Sequence, residues 1–319
     1  MVFSVSGVDI AFWVPPLVAF CISFFTSMGG VSGAFLLLPF MVSVLGFTSP
    51  AVSPTNLVYN VVAIPSGVYR YLKEGRMAWP LFWVINLGTL PGVAIGAVLR
   101  VKYLPEPRFF KFFVGLVLLY IGSRLVYDLF NKASSKSKAL EEKFYQRFHE
   151  NRNQKKSRRT SGLPHEARVK TLEVSLKHIS YEFYGETFSF STLGAAGLSF
   201  LVGIIGGTYG IGGGAIIAPF FITFFGLPVY TIAGATLGAT CLTSVFGVVF
   251  YQLIVPLFVV SDLSVRPDWL LGVTFGLGGL VGIYLGARWQ RFMPARFIKS
   301  VLAVILIALA VRYVSQIFI

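Results

Sequence analysis

The chain has 319 residues, of which 55% are hydrophobic and only 13% charged, and its mean hydropathy is +0.74; water-soluble domains carry about 25% charged residues. So few polar side chains cannot cover a soluble protein of this size, so the surrounding phase is lipid, which excludes a soluble enzyme and a nucleic-acid reader. The apolar runs last about 17 to 25 residues, the length of a membrane helix, and show none of the alternating ten-residue segments of a β-barrel.

In chain order, the opening MVFSVSGVDIAFWVPPLVAF lacks the basic region and small-residue cleavage site of a signal peptide and reads as a retained first span. With this span at 11–27, the first half has five apolar segments, the others at 31–46, 52–72, 79–99 and 109–127. After an insert, five more occupy 192–209, 213–226, 232–257, 269–288 and 297–317. The second segment of each set is short. Cys21 and Cys241 lie inside apolar segments, offer no disulfide framework or zinc spacing, and read as small buried hydrophobes.

The insert, 131–190, separates a first membrane repeat, 1–130, from a second, 191–319. Of the formal net charge of +14, residues 131–170 supply +8, from twelve Lys or Arg against four Glu. A basic loop between spans is a signal of cytoplasmic placement and attracts anionic lipid headgroups. Its first part, to about Pro164, is rich in Lys, Ser, Asn and Arg and is expected to be poorly ordered or loosely helical. Beyond it, Leu172, Val174 and Leu176, then Ile179, Tyr181 and Phe183, alternate with polar residues, and Tyr184-Gly185 and TFSFS follow. Strand period around a turn signal predicts a short β-hairpin at the membrane face.

The two sets are copies of one another. GVSGAFLLLPF, Gly30 to Phe40, lies over GIGGGAIIAPF, Gly210 to Phe220, at an offset of 180, and Gly46 falls on Gly226. LGTLPGVAIGAVLR, Leu87 to Arg100, lies over LGGLVGIYLGARWQ, Leu277 to Gln290, at an offset of 190, and Arg108, Phe109 and Lys111 fall on Arg296, Phe297 and Lys299. An odd number of spans per repeat inverts the second copy, and an even number leaves it parallel. With five spans and the basic insert inside, Arg70, Lys73, Arg76 and Arg288 are inside too, and Arg100, Lys102, Arg108 and Lys111 are the exceptions. A four-span repeat puts the basic cluster of the second half outside, so loop charge favours inverted repeats with both termini outside. The fold class is therefore an all-α polytopic membrane protein of two inverted repeats, with eight to ten membrane segments, glycine-broken helices and a small cytoplasmic insert.

GGVSG at 29–33 and GGTYGIGGG at 206–214 occupy matching places between the first and second segments of each repeat. Glycine disfavours continuous helix by about 1 kcal/mol per residue relative to alanine, so both helices break there. Backbone groups freed inside a bilayer are tolerated only where protein or a water-filled cavity receives them. If the second segment starts at the break, its N–H groups and positive dipole end face an anion, and matched broken helices are a pointer to a transporter's central site. The alternative is close helix packing through small residues. That alternative is preferred for the glycine ladders at 88/92/96 and 278/282/286, whose spacing makes a smooth helix face.

GIGGG lacks both the following Lys-Ser/Thr and the preceding strand of a nucleotide loop. No Asp, Glu or His falls within the apolar segments; His149, His165 and His178 are in the insert, and Asp9, Glu74, Glu106, Asp128, Asp262 and Asp268 are at span ends or in loops. A membrane-embedded hydrolase, a metal site and a carboxylate proton relay thus have no residues to build them, and no cofactor is called for. The interior is instead neutral and hydrogen-bonding, with Ser27, SPTNLVYN at 53–60, Thr208, Thr243 and Ser244. Asn56 and Asn60, and likewise Thr236 and Thr240, share a helix face. The candidate substrate-binding set is Gly30, Ser32, Gly33, Thr55, Asn56, Asn60, Tyr209, Gly210, Gly212, Gly213, Gly214, Thr236 and Thr240.

At the Gly30 to Phe40 and Gly210 to Phe220 blocks, with Ser53 to Asn60 and Ala233 to Thr240 behind them, the sequence resembles the sulfite exporter TauE/SafE family. The resemblance covers both membrane halves and rests on the duplicated glycine-rich motif that ends in Pro-Phe. It implies a prokaryotic inner-membrane carrier for small sulfur-containing anions such as sulfite or sulfonates. The first copy, GGVSG, is poorer in glycine than the family pattern, and the insert is long. A secondary carrier for a small anion is the leading reading; the alternatives are an anion channel and a membrane scaffold that recruits a partner through its basic insert.

Overall fold

The computed structural model describes residues 1–28, 31–73, 75–130, 169–183, 185–258, 264–289 and 295–316. Gly30 and the stretch 131–164, expected to be poorly ordered or loosely helical, lie outside these residues. The first half forms α1 (Val14–Met28), α2 (Ala34–Ser43), α3 (Val52–Lys73), α4 (Trp79–Tyr103) and α5 (Pro107–Phe130). The second forms α6 (Thr192–Tyr209), α7 (Ala218–Phe225), α8 (Val229–Leu253), α9 (Trp269–Trp289) and α10 (Ala295–Ser315). The five helices α4, α5, α6, α8 and α9 are long and apolar enough to cross a membrane by length and composition, while α1 and α2 are shorter apolar helices. The chain is an all-α polytopic membrane protein with a small β insert. One boundary differs from expectation: residues 213–217 are a series of turns, so α7 starts at Ala218 and not at the glycines.

Large apolar side chains such as Leu87, Leu201, Leu277 and Val304 are uncovered by protein on the helix flanks, where lipid takes the place of a core. Cys21 is among the exposed residues and Cys241 is only partly covered, which corrects the expectation that both are buried. An apolar segment facing lipid carries no sequence mark that separates its outward side from its inward one. All five tryptophans, Trp13, Trp79, Trp83, Trp269 and Trp289, are exposed near helix ends, as an interfacial aromatic belt requires.

Glycine sets the helix packing. Gly88, Gly92 and Gly96 of α4 lie against the backbone of α6 at Ala196, Phe200 and Ile204 in that order. Gly278, Gly282 and Gly286 of α9 meet α1 at Pro16, Phe20 and Phe24. In both pairs the order shows helices that run in the same direction, so close that a Cβ would fall on a carbonyl oxygen. The spacing rule for packing faces describes both ladders. Helix α3 runs with α9, with Val58 at Gly272 and Val62 at Gly276, and against α8, with Leu57 at Gly247 and Tyr71 at Gly234. Gly115 and Gly122 of α5 lie at Tyr313 and Ile307 of α10, again antiparallel. These directions bring the starts of α1 and α5 and the end of α10 to one end of the bundle, the terminus end.

At the opposite end the insert forms β1 (Lys170–Val174), β2 (His178–Phe183) and β3 (Glu186–Ser191) in an antiparallel meander of order β1-β2-β3. The expected hairpin is thus extended by one strand, whose Leu172 and Val174 are exposed. The alternating residues Ile179, Tyr181, Phe183, Phe188 and Phe190 are buried. Phe190 packs edge-on against Phe221 and Phe225 of α7, and the Tyr181 hydroxyl lies 2.8 Å from Thr231 Oγ1 of α8. Burial raises the Tyr181 pKa above the ordinary phenol range, with the Thr231 hydrogen bond opposing it, so this link stays neutral.

The packing makes a simple prediction. Gly92→Ala, whose Cβ falls on the Phe200 carbonyl, lowers the melting temperature of the detergent-purified protein by several degrees, while Gly197→Ala, with nothing within 4 Å, leaves it unchanged or raises it.

Candidate functional site

Helix α1 ends at Met28, and the chain has returned by Gly33 to the level of Ile22 and Ser23 before α2 starts. In the second half Tyr209 ends α6, and Gly210 and Gly212 adopt left-handed backbone with φ of 84° and 80°, which glycine tolerates without the Cβ strain of other residues. Both breaks are buried: Ser32 to Leu38 and Tyr209 to Ala218 are covered by protein. The carbonyls released there must find donors inside the protein.

Two asparagines of α3 supply them. Asn56 Nδ2 donates to the Ala34 carbonyl of the first break at 3.0 Å and to the Gly210 carbonyl of the second at 2.9 Å. One turn on, Asn60 Nδ2 donates to the Ile211 carbonyl at 2.9 Å and to Ser244 Oγ at 3.1 Å, and its Oδ1 accepts from Ser32 Oγ. Ser32 Oγ also accepts the Ala34 N–H at 3.2 Å. The two breaks are therefore held together through one face of one helix. Asn56 Oδ1 is buried and has no hydrogen-bond partner.

The remaining glycines are placed by contact. A Cβ on Gly210 would press on Ser53 at 2.5 Å, one on Gly214 on Thr240 Oγ1 at 2.7 Å, and one on Gly33 on the Tyr59 hydroxyl at 2.5 Å. Gly213 lies against Thr89, and its N–H donates to Thr243 Oγ1 at 3.1 Å. Tyr209 ties the breaks together again by donating from its hydroxyl to the Phe35 carbonyl at 2.8 Å.

Of the predicted residues, the structure thus brings together Ser32, Gly33, Asn56, Asn60, Tyr209, Gly210, Gly212, Gly213 and Gly214. Thr236 and Thr240 are adjacent through Gly214, but their hydroxyls donate to carbonyls of their own helix at Ala233 and Thr236. Thr55 belongs elsewhere: its Oγ1 donates to Ala51 and accepts the N–H of Asp268 at 2.9 Å, helping to fix the start of α9. It lies on the α3 face next to that of Asn56 and Asn60, a distinction the SPTN motif does not carry. Ser23 and Thr89 escaped the sequence reading, and Tyr59, inside the SPTNLVYN motif, was not among the candidate site residues, although Tyr59 and Ser23 share a 2.6 Å hydroxyl contact beside Gly33. Among the described residues no group of three or more His, Cys, Asp or Glu could hold a metal.

The centre is buried and uncharged, and the hydrogens of both side-chain amides are taken up by protein acceptors. The sequence pattern of a family described as "Sulfite exporter TauE/SafE" matches residues 16–313, nearly the whole chain. The chain belongs to this family. It is accordingly a multi-pass membrane transporter and not an enzyme. Its relatives include the "Probable membrane transporter protein YunE" of Bacillus subtilis, 22% identical over 91% of this chain and 92% of the relative. A second is the "Probable membrane transporter protein MJ0441" of Methanocaldococcus jannaschii, 32% identical over 36% of this chain and 41% of the relative. No solved structure matches the chain significantly.

The site geometry has a measurable cost structure. Asn60→Ala strands the Ile211 carbonyl, and stranding a buried polar group costs about 1–3 kcal/mol. Gly212→Ala adds left-handed strain of about 1–2 kcal/mol to a contact with Ser244 Oγ at 2.8 Å. Both variants should unfold at lower temperature than Gly46→Ala, which has left-handed backbone at φ 68° but open space around its Cβ.

Proposed function

We propose that the chain is a secondary carrier that exports a small sulfur-containing oxyanion, of the sulfite or sulfonate type, across the prokaryotic inner membrane. The observation that carries this reading is the meeting of two broken helices at Asn56 and Asn60 in a buried, uncharged, hydrogen-bonding centre. Ser32, Gly33, Asn56, Asn60 and the 210–214 backbone form the substrate site, with Thr236 and Thr240 behind it. Asn56 Oδ1 is an unfilled acceptor, which suits an oxyanion that carries one proton as well as its negative oxygens.

Alternating access then works between two inverted repeats of five segments each. Helix directions support this. Packing of α4 on α6 is mirrored by α9 on α1, and packing of α3 on α9 by α8 on α4, which is the exchange a two-fold relation produces. Corresponding helices α3 and α8 run antiparallel, and Gly46 and Gly226, which are 180 residues apart, follow α2 and α7 with φ of 68° and 64°. Helix α1 starts and α10 ends at one end of the bundle, while the β insert lies at the other. The insert is the cytoplasmic side of this scheme, where its basic stretch meets anionic headgroups.

Two experiments test the proposal. Reporters fused after Ile319 should appear outside and those at Ser157 inside; the same side for both overturns the inverted arrangement. In proteoliposomes loaded with sulfite, efflux should be saturable, should accelerate with an inside-negative potential, and should persist after the pH gradient is collapsed. Each negative charge moved outward gains about 2.3 kcal/mol per 100 mV. Sulfate, thiosulfate and short sulfonates in the same assay rank the substrates, and strict dependence on a pH gradient overturns the voltage-driven mechanism.

A further inference from the structure

Arg100 is one of the few cations that violate the charge rule for loops, and the structure shows why it is not a loop residue. It occupies the last turn of α4 at the terminus end, with its side chain completely buried. Nη1 donates to the Leu104 carbonyl, and the guanidinium carbon lies 3.7 Å from the centre of the Phe110 ring. Capping its own helix and stacking on a ring account for one edge and one face of the group. Nε and Nη2 are buried without any hydrogen-bond partner, and among the described residues no carboxylate pairs with Arg100. A buried charge without a partner is among the most costly features a protein can hold.

The surroundings of these free donors are specific. The Tyr251 hydroxyl of α8 is also buried and without a hydrogen bond, and its ring shares one packed cluster with Ala97 and Val101, which flank Arg100 in α4. Ser53 donates to the Tyr209 carbonyl at 3.4 Å and sits where a Cβ on Gly210 would be. Two unsatisfied buried polar groups, Arg100 and Tyr251, thus lie in one part of the bundle at the terminus end, with Ser53 beside the second helix break. The cluster around them is otherwise apolar, with Leu57, Val248 and Val255 among its members.

We propose that Arg100 and Tyr251, with Ser53 behind them, form a second anion-binding subsite on the terminus side of the central break, where a departing oxyanion is held by charge-assisted hydrogen bonds before release. The inference rests on the anion-export reading above and adds a cationic station to an otherwise uncharged route. It also makes the route asymmetric, because the residue 190 positions on from Arg100 in the duplicated block is the uncharged Gln290. The subsite selects for anions with two or more oxygens, since a guanidinium edge and a phenol hydroxyl offer several donors at once, and it disfavours chloride.

The test uses the full chain in detergent, with thermal unfolding followed as sulfite is titrated against sodium chloride at equal ionic strength, together with efflux from proteoliposomes. Wild type is expected to be stabilised by sulfite. Arg100→Gln should lose that stabilisation while retaining or raising its melting temperature in chloride, because the variant removes an uncompensated charge. Tyr251→Phe keeps the ring in place and should weaken sulfite binding about tenfold, the loss of one hydrogen bond to a charged group; it reads the subsite even if Arg100→Gln fails to fold. Sulfite binding of wild-type strength in Tyr251→Phe, or in a folded Arg100→Gln, overturns the subsite while leaving the export reading intact. A wild type that neither binds nor carries sulfite overturns the export reading and the subsite with it.

Discussion

The four hydrogen bonds donated by the side-chain amides of Asn56 and Asn60 hold this structure together at its most exposed point of risk, the place where two helices are interrupted in a low-dielectric setting. Each amide reaches into the second break, and each asparagine is also tied to the first, through Ala34 or through Ser32. In water a released carbonyl finds solvent at little cost; in a bilayer it must find protein. The arrangement therefore requires that α3 run between both breaks, and that requirement orders the neighbouring helices around it.

Close approach is the second requirement, and glycine meets it. The ladders of α4 and α9 let α6 and α1 approach to backbone contact, which fixes the depth at which each break occurs. A break one turn higher or lower would miss the asparagines. In lipid there is no hydrophobic force to pull helices together, so dispersion and hydrogen bonding at small-residue faces must supply the association. The helices that end in breaks, α1 and α6, are the ones seated on glycine ladders, so the parts that must be positioned most accurately have the least freedom to slide.

Charge is distributed by the same logic. The central breaks are lined by neutral groups, while buried arginines sit toward the ends: Arg100 over Phe110 at the terminus end and Arg76 over Tyr71 at the insert end. A cation at the centre would bind an anion too firmly for it to leave, and a route with none would gather anions poorly. At the insert end the β-meander packs on α7 and α8 through Phe190 and Tyr181, so the basic insert is mechanically joined to the half of the protein that contains the second break.

Composition, period and repetition by themselves determined that the chain is a helical membrane protein, that its ten apolar segments form helices, and that glycine interrupts two of them, because these properties follow from solvent transfer and backbone conformational preference along a single segment. They also pointed to Asn56 and Asn60, since the two amides lie one turn apart on one face of an otherwise apolar helix. What only the tertiary structure decided is which partners these are: that Asn56 faces Gly210 while its neighbour Thr55 serves the start of α9, that Thr236 and Thr240 bond to their own helix, that Cys21 faces lipid, and that Arg100 is buried. An apolar segment looks alike from every side in its sequence when lipid and protein are equally apolar, so the direction in which each polar residue points is set by contacts between segments distant in the chain, and no local pattern encodes it.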